Sequence, residues 1–484
     1  MEHEENGRRP ASISVPSRMD PLLRRLTEGV GGPLGKHAAP GRVRSWPFPV
    51  GRVLVLLTTT AALLAVLVKN PCRVDGWVRP EQFYRACYSD WSEAFQFQGL
   101  GRGSFPIFDD ASTYDEPALQ ALFAGIVSLL IPASDPVRAE PVVQFFDVNA
   151  VLITAAWVGT VIATLRLASR RPWDAAIVAV APIAIFTATS SWTMVAVLLG
   201  VLGSLAFAKD RFVLAGVLLG IGAGFSVHVL LIYGAVVLLT VRTGLWRPSL
   251  FTGVGLAVTW ILTALSLGTG APSWEYDPAR IDVSSSVWAS YNLLAERVGA
   301  PVLATEAVGV AAVVGFLALS VLVVLLVLRA PRRPRLPQVA FLLVGALVLV
   351  LPDYRPAFTL WLLPLLALSY VDWRMFIGWQ VVEVLHWWAY WLFIAREASS
   401  GAVENNIDSP FYAAAILARV GVTAYLMYRV AEHMLQPAFD PVRRFDIDDP
   451  AGGPFNGAPD RARSAPVGLE PSAPTPNTGP KDPT

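Results

Sequence analysis

Residues Val53–Val68 read VLVLLTTTAALLAVLV, and the polar stretch Cys72–Pro117 begins shortly after them. The first is an apolar run long enough to enter a bilayer as a helix. The second is the longest polar segment between two apolar runs, and it holds both cysteines of the chain, Cys72 and Cys87. This order predicts a membrane helix followed by a large loop, and any chemistry should lie where that loop meets the membrane surface.

The composition excludes an ordinary soluble domain. Hydrophobic residues make up 54% of the chain and charged residues only 15%, whereas soluble proteins carry about 25% charged residues. The net charge of +1 also argues against a nucleic-acid partner, which would require a basic face. We therefore expect an all-α polytopic membrane protein.

Basic residues before the first apolar run predict the orientation of the chain. Arg42, Arg44 and Arg52 lie in or just after residues 1–46, an Arg-, Pro- and Gly-rich arm without an apolar period that we expect to be disordered. The positive-inside rule places such residues in the cytoplasm. The stretch Cys72–Pro117 then faces outward, where its two cysteines could form a disulfide in an oxidising compartment or remain free thiols.

Apolar runs recur through residues 47–435, which form the predicted transmembrane domain. They are Val53–Val68, Val143–Leu165, Ala175–Thr189, Thr193–Phe207, Phe212–Phe225, Val227–Val241, Leu250–Leu267, Val308–Leu328, Val339–Leu351, Ala357–Tyr370, Met375–Ile394 and Phe411–Val430. Arginines and lysines mark alternate connections, which should be cytoplasmic. The short run Ala118–Ile131 breaks this alternation if it crosses, so we expect it to lie on the outer face. The pattern predicts about twelve spans, with about thirteen as the alternative.

Two further regions complete the predicted organisation. Residues 268–301 form a second outer loop, and residues 436–484 are Pro-, Gly- and Ala-rich without an apolar period, which predicts a disordered cytoplasmic tail. Both termini are then cytoplasmic. The sequence contains no P-loop, no dinucleotide fingerprint and no zinc-ligand spacing, so no cofactor site is predicted.

Polar residues within or beside the apolar runs gather towards the outer side. Asp147, His228 and Arg355 fall in outer turns, while Glu383 and His386 share one helix face in its outer half. Charged groups are costly inside a bilayer, so each is a functional candidate. A transporter requires polar groups near the midplane and access to both faces. The one-sided distribution favours an enzyme that acts on a lipid-linked substrate at the outer surface.

Glycosyl transfer at that surface predicts a specific set of residues. No pool of nucleotide sugars exists there, so the sugar must be carried on a polyprenyl phosphate. A carboxylate must accept the proton of the acceptor hydroxyl, and Asp90 suits this role, although it could instead cap a helix beginning at Trp91. Cations must surround the departing phosphate. The candidates are Arg102, which could also be a solvated turn residue, His228, which could be a satisfied buried histidine, and Arg355.

Other residues complete the predicted site. Three acidic residues are expected to orient the sugar or the acceptor: Asp115, Glu116 and Asp147. Glu383 and His386 either contribute to substrate binding or form an internal polar contact, for example with Arg419. The aromatic run at 387–391 is interpreted as an interfacial belt.

Several short motifs give the chain a family resemblance. They are CYSD at 87–90 with Gly99-Leu100, DEP at 115–117, FDVNA at 146–150, RRPWDAA at 170–176, LAGVLLG at 214–220, LWLLP at 360–364, and Trp379-Gln380 with Glu383-Val384. In their order and spacing these resemble the actinobacterial branch of glycosyltransferase family 87. Its members are polyprenyl-phosphate-mannose-dependent alpha-mannosyltransferases with a GT-C fold. The resemblance extends from about Val53 to Val430.

The resemblance implies an inverting, membrane-embedded transferase without a tightly bound metal. Its GT-C-type bundle would carry a large first extracytoplasmic loop, and the first-loop aspartate of the family falls on Asp90, which would be the general base. The implied partners are a polyprenyl-phosphate-linked sugar donor, with mannose as the sugar, a lipid or polysaccharide acceptor of the cell envelope, and membrane lipid.

The chain departs from the family pattern in three outer turns. Residues 191–193 read SWT where the family has NWD, residues 226–229 read SVHV where it has KLYP, and residues 355–358 read RPAF where it has SPQY. One carboxylate and one cation are thereby lost. Arg355 and His228, the latter only when protonated, could replace the lost lysine charge. The alternative is a relative without transfer activity that binds a lipid or a partner protein as a scaffold.

Overall fold

The computed structural model describes residues 20–22, 25, 50–108, 114, 116–132, 139–267, 285–443 and 448–460. Within these ranges all regular structure is helical and no β-strand occurs, which confirms the all-α prediction. Asp115, most of the predicted arm 1–46 and half of the predicted second outer loop 268–301 lie outside the described residues.

From residue 50 onward, α-helices alternate with short 3-10 helices. The α-helices are α1 (Val50–Val68), α2 (Asn70–Asp75), α3 (Glu81–Tyr84), α4 (Asp90–Phe97), α5 (Ala118–Ser128), α6 (Ala139–Ala168), α7 (Ala176–Ala179), α8 (Pro182–Thr187), α9 (Thr193–Ala208), α10 (Phe212–Ala223), α11 (His228–Thr243), α12 (Trp246–Leu267), α13 (Val287–Val298), α14 (Thr305–Arg329), α15 (Leu336–Val350), α16 (Leu362–Ser369), α17 (Trp373–Ala398) and α18 (Ser409–Leu435). The 3-10 helices cover Leu100–Arg102, Pro172–Ala175, Ala188–Ser190, Pro356–Trp361, Pro437–Phe439, Pro441–Arg443 and Gly453–Phe455.

Among the described residues, five helices are long and apolar enough to cross a membrane: α1, α6, α12, α14 and α18. A sixth candidate is the bent pair Pro172–Ala179 and Pro182–Ser190, whose halves meet at 43°. The bend falls where Pro182 lacks the backbone N–H that a continuous helix needs. The bundle also contains shorter apolar helices, of which α15 and α16 are largely buried. The structure is therefore that of a helical membrane protein, and the count of about twelve spans stays a prediction.

The helices connect at two ends of the bundle, which we call the loop end and the tail end. The loop end carries the stretch Cys72–Pro117. The tail end carries residues 436–443 and 448–460, and arginines that follow or end two helices donate to its backbone. Arg171 donates to a tail carbonyl at 3.1 Å and Arg242 does so at 2.8 Å. Both helices concerned, α6 and α11, thus end beside the tail.

The first part of the tail is ordered, which corrects the prediction of disorder from residue 436 onward. Asp440 accepts two hydrogen bonds from the guanidinium of Arg335, at 2.7 and 3.1 Å, and both side chains are buried. Phe455 is also buried and contacts Phe207 with ring centroids 5.6 Å apart. The sequence signal of disorder failed because these few buried residues are spaced too widely to produce an apolar period.

The first loop is cross-linked internally by a disulfide and anchored to the bundle by aromatic packing. Cys72 and Cys87 form the disulfide that was one of the two alternatives from the sequence. Trp91 of α4 is fully buried against Phe146 of α6, with ring centroids 5.4 Å apart. Together these contacts hold the start of α4 against the membrane domain.

Helices α10 and α12 pack with their backbones in direct contact. A Cβ atom at Gly216 would lie 1.9 Å from the carbonyl oxygen of Thr252, and one at Gly255 would lie 2.3 Å from that of Val213. Only glycine permits so close an approach, which is typical of membrane helix pairs. This pair forms one wall of the cavity described below.

Candidate functional site

A cavity of about 1200 Å³ lies at the loop end of the bundle. It is larger than a typical small-molecule site of about 300–1,000 Å³. The charged side chains of its lining are Arg79, Asp90, Glu93, Glu116, Glu306 at the start of α14, Asp353 and Arg355. Aromatic side chains line the adjoining part: Tyr88, Tyr114, Phe358, Trp361, Trp387, Tyr390 and Trp391. A mixture of carboxylates and aromatic faces can bind hydroxyl-rich molecules.

The opposite flank of the cavity is apolar and open. It is formed by Trp260 of α12 and by Val313 and Leu317 of α14. These side chains are 38%, 60% and 57% exposed, so they do not seal the cavity as core residues would. Because α12 and α14 both belong to the helices of spanning length, this flank faces the region that a membrane would occupy.

Asp90 is the first residue of α4 and lies in the charged part of the cavity. The N-cap position belongs to Ser89, so the alternative role of Asp90 as a cap is not what the structure shows. The side chain of Tyr88 hydrogen-bonds to the carboxylate. Burial raises the pKa of Asp90 to about 6, while Arg355 opposes the rise and Glu116 adds to it. A carboxylate with such a pKa is suited to proton transfer near neutral pH.

Arg355 lies directly before the 3-10 helix Pro356–Trp361 and extends into the same part of the cavity. Its guanidinium contacts Glu116 at 3.4 Å and Asp353 at 3.3 Å. The predicted base, one predicted cation and one predicted acidic residue, Asp90, Arg355 and Glu116, are thus brought together. Arg79 also lines the cavity and pairs with Glu93.

Three predicted residues are not placed at the cavity. Arg102 is exposed in the 3-10 helix Leu100–Arg102 and is not part of the lining, so its alternative as a solvated turn residue holds. Asp147 pairs with Arg73 at 2.7 Å and is likewise outside the lining. Asp115 lies outside the described residues. Arg102 and Asp147 were expected there because they fall in predicted outer segments, but in the fold their side chains do not line the cavity.

His228 lies behind the cavity wall. It is buried, its Nδ1 is 3.0 Å from Ser226 Oγ, and its ring stacks on Trp361 at 4.3 Å. Trp361 lines the cavity and His228 does not. The structure therefore supports the satisfied-histidine alternative and not a direct phosphate contact.

Glu383 and His386 are also buried outside the cavity. The Glu383 carboxylate accepts hydrogen bonds from Trp379 Nε1 and Thr359 Oγ1, both at 2.8 Å. Arg419 lies over the ring of Tyr354 at 3.7 Å. These contacts support the turn that carries Arg355, so the internal-contact alternative fits Glu383, whereas neither ring nitrogen of His386 has a hydrogen-bond partner among the described residues.

Lys69 is the residue that the sequence interpretation missed. Its side chain is fully buried, and Nζ donates to the carbonyl of Tyr88 at 2.8 Å and to Ser190 Oγ at 2.9 Å. A signal was available: this lysine directly follows Val53–Val68, at the end where the positive-inside rule does not expect one. A second miss is the aromatic run on α17, because Trp387, Tyr390 and Trp391 line the cavity and do not form only an interfacial belt.

No family model and no curated protein matches this chain. The chemistry of the site must therefore be argued from the cavity and its residues.

Proposed function

We propose that this protein is a membrane glycosyltransferase that moves a sugar from a polyprenyl-phosphate donor to an acceptor hydroxyl. The observation that carries the proposal is the placement of Asp90. A carboxylate with a pKa of about 6 borders a large cavity whose opposite flank is apolar. A lipid-linked sugar requires this combination of a polar compartment and an apolar entrance.

The reaction follows from the roles of the residues. The Asp90 carboxylate accepts the proton of the acceptor hydroxyl as that oxygen forms a bond to the anomeric carbon. The bond between the anomeric carbon and the phosphate oxygen breaks, and the polyprenyl phosphate leaves with the electron pair. Arg355 stabilises the negative charge on the leaving phosphate. A single displacement of this kind inverts the anomeric configuration.

The donor has a route that the apolar flank supports. Trp260 of α12 and Val313 and Leu317 of α14 are partly exposed and line the cavity. The isoprenoid chain lies between these helices, while its headgroup reaches the charged part. The resemblance to family 87 favours mannose as the sugar and an envelope lipid or polysaccharide as the acceptor.

The proposal extends to the membrane topology. A GT-C-type bundle of about twelve spans results if three groups of helices all cross the membrane. They are the five long helices, the bent pair, and the shorter helices α9, α10, α11, α15, α16 and α17. Two aromatic contacts support the crossing of α9 and α10. Phe207, near the end of α9, contacts Phe455 at the tail end. Phe225, directly after α10, contacts Phe123 of α5, which follows the first loop. Arginines at the tail end favour a cytoplasmic location for both termini, with the loop end outside and α5 not crossing.

Transfer by membranes that contain Asp90→Asn tests the assignment of the base. Membranes receive labelled polyprenyl-phosphate mannose, and labelled envelope products are counted. We expect a loss of at least 100-fold, within the ~10²–10⁴-fold contribution of general base catalysis. Asp75→Asn is the matched control, since Asp75 belongs to the same loop but pairs with Arg85 outside the cavity. Unchanged transfer by Asp90→Asn would remove Asp90 from the mechanism.

One observation favours the second candidate, a non-catalytic lipid-binding or scaffold protein. Among the described lining residues, both arginines already contact carboxylates: Arg79 contacts Glu93, and Arg355 contacts Glu116 and Asp353. A leaving phosphate would have to compete with these partners. Wild-type membranes that bind the carrier lipid but transfer no sugar to any of a panel of envelope acceptors would support this candidate.

A further inference from the structure

Lys69 links the segment that carries Asp90 to a second part of the cavity wall. It follows the last residue of α1, and its Nζ donates to the carbonyl of Tyr88 at 2.8 Å and to Ser190 Oγ at 2.9 Å. Tyr88 and Ser190 both line the cavity, whereas Lys69 itself does not. Burying an ammonium group costs free energy unless the charge is paired. Lys69 is fully buried, and its two hydrogen-bond acceptors are neutral, so a charged group should interact with it.

The same segment is held by further contacts. Ser89 Oγ donates to the carbonyl of Thr189 at 3.1 Å, and Cys87 is fixed by its disulfide to Cys72. Hydrogen bonds and the disulfide would therefore hold the backbone even with a neutral residue at position 69. What Lys69 adds is a positive charge, and Asp90 is the carboxylate with which that charge interacts.

We propose that Lys69 is a positioning residue for Asp90, whose buried ammonium, held by the Tyr88 carbonyl and by Ser190, supplies a positive charge near the carboxylate that favours its ionised form. The inference rests on the proposed function, because an ionised carboxylate is what a general base requires. It assigns no contact between Lys69 and a substrate.

The ionisation of Asp90 depends on several groups from different elements. Those that interact with its side chain are Lys69, Tyr88, Tyr114, Glu116, Arg355 and Tyr390. Of the two cations, Arg355 acts more strongly and Lys69 less so. Burial lowers the pKa of Lys69 to about 7, and Asp90 opposes that decrease. The positive charge of Lys69 favours loss of the proton from Asp90.

Chemical labelling measures this effect without any transfer reaction. Water-soluble carbodiimide with glycine ethyl ester modifies protonated carboxyl groups, and mass spectrometry of the Asp90 peptide gives the extent of modification at each pH. In the wild-type protein the midpoint should lie at about 6. Lys69→Gln keeps an N–H donor but removes the charge, so the midpoint should rise. Lys69→Arg keeps the charge, so the midpoint should not rise.

Transfer assays provide the second measurement. Lys69→Gln should move the acid limb of the pH–rate profile to higher pH, whereas a purely structural role would lower the rate equally at every pH.

If Lys69→Gln does not fold, Ser190→Ala serves instead, because losing one acceptor disfavours the charged ammonium and should also raise the labelling midpoint. An unchanged midpoint in the folded variant overturns the proposal. Absence of transfer by the wild-type protein would overturn the proposed function, while the labelling result would still decide the role of Lys69.

Discussion

The guanidinium of Arg355 contacts the carboxylate of Glu116 at 3.4 Å, although the two residues lie 239 positions apart. The contact joins the end of the first loop to the turn before the 3-10 helix Pro356–Trp361. Because Asp353 contacts the same guanidinium at 3.3 Å, Arg355 is held in a defined position beside Asp90. A cation that is already oriented needs little rearrangement to interact with a phosphate.

Removing the positive charge of Arg355 should weaken binding of the polyprenyl-phosphate sugar donor. We expect Arg355→Gln to raise the KM for polyprenyl-phosphate sugar by roughly 10- to 100-fold, since hydrogen bonds to charged groups contribute about 1.5–3 kcal/mol. The measurement is the donor dependence of transfer in membranes. Arg102→Gln is the control, because Arg102 is an exposed arginine outside the cavity lining. Equal KM values for Arg355→Gln and the wild type would exclude a phosphate contact.

The rate of transfer should depend on pH through Asp90. Burial raises the pKa of this carboxyl to about 6, and only the ionised form can accept a proton. We therefore expect kcat/KM to be constant above this pH and to fall about tenfold per unit as the pH decreases below it. A profile that stays flat down to pH 4 would show that another group is the base.

Asp90→Asn should make the protein more stable at neutral pH. The pKa of Asp90 in the folded protein, about 6, lies above the value of about 3.9 for an unfolded chain. The folded state therefore favours the protonated form: the stabilising contribution is fully present below pH 4 and is lost as the pH rises through 6. The neutral amide avoids this loss, so melting in detergent at pH 7.5 should occur at higher temperature than for the wild type. A lower melting temperature would contradict this reasoning.

Loss of the disulfide should destabilise the first loop. Cys72 and Cys87 are separated by 15 positions, and a bridge over a loop of that length contributes about 3 kcal/mol. We expect Cys72→Ser to lower the melting temperature and, once the chain is unfolded in SDS to expose the buried Cys87, to leave that thiol reactive towards maleimide. The unreduced wild-type protein should not react. Maleimide labelling of the unreduced wild type would show that the thiols are free in the membrane.

Breaking the buried ion pair at the tail end should be costly. Arg335 and Asp440 have side chains that are 1% and 0% exposed, and removing one partner of such a pair typically costs about 3–5 kcal/mol. Asp440→Asn should therefore lower the thermal stability strongly. Asp75→Asn removes a half-exposed pair with Arg85 and should change stability by at most about 1 kcal/mol. Similar melting temperatures for both variants would show that the tail does not support the bundle.

The apolar helices could be predicted closely, because apolar length is a local property. The run Val53–Val68 corresponds to α1, Val308–Leu328 to α14 and Phe411–Val430 to α18, each within a few residues. Ala175–Thr189 was also found, but its bend at Pro182 was not, since the bend depends on how both halves pack.

The candidate site was harder to predict than the helices. Asp90, Glu116 and Arg355 do line one cavity, but Lys69 was missed because its importance depends on Tyr88 and Ser190 lying beside it. Arg102 and Asp147 were wrongly expected at the cavity. Contacts between residues far apart in the sequence produce no periodic pattern. Residue type alone therefore could not distinguish Arg102 and Asp147 from Arg355, Asp90 and Glu116, which line the cavity.

The glycine contact between α10 and α12 determines how the cavity can widen. A backbone interface that admits no side chain at Gly216 or Gly255 leaves these two helices no room to slide past each other. They form a rigid wall of the cavity, so admission of a bulky carrier from the side would depend on displacement of α14, which also lines the cavity. A cross-link between α12 and α14 would then block loading of a long isoprenoid while leaving a short, water-soluble analogue free to enter from the loop end.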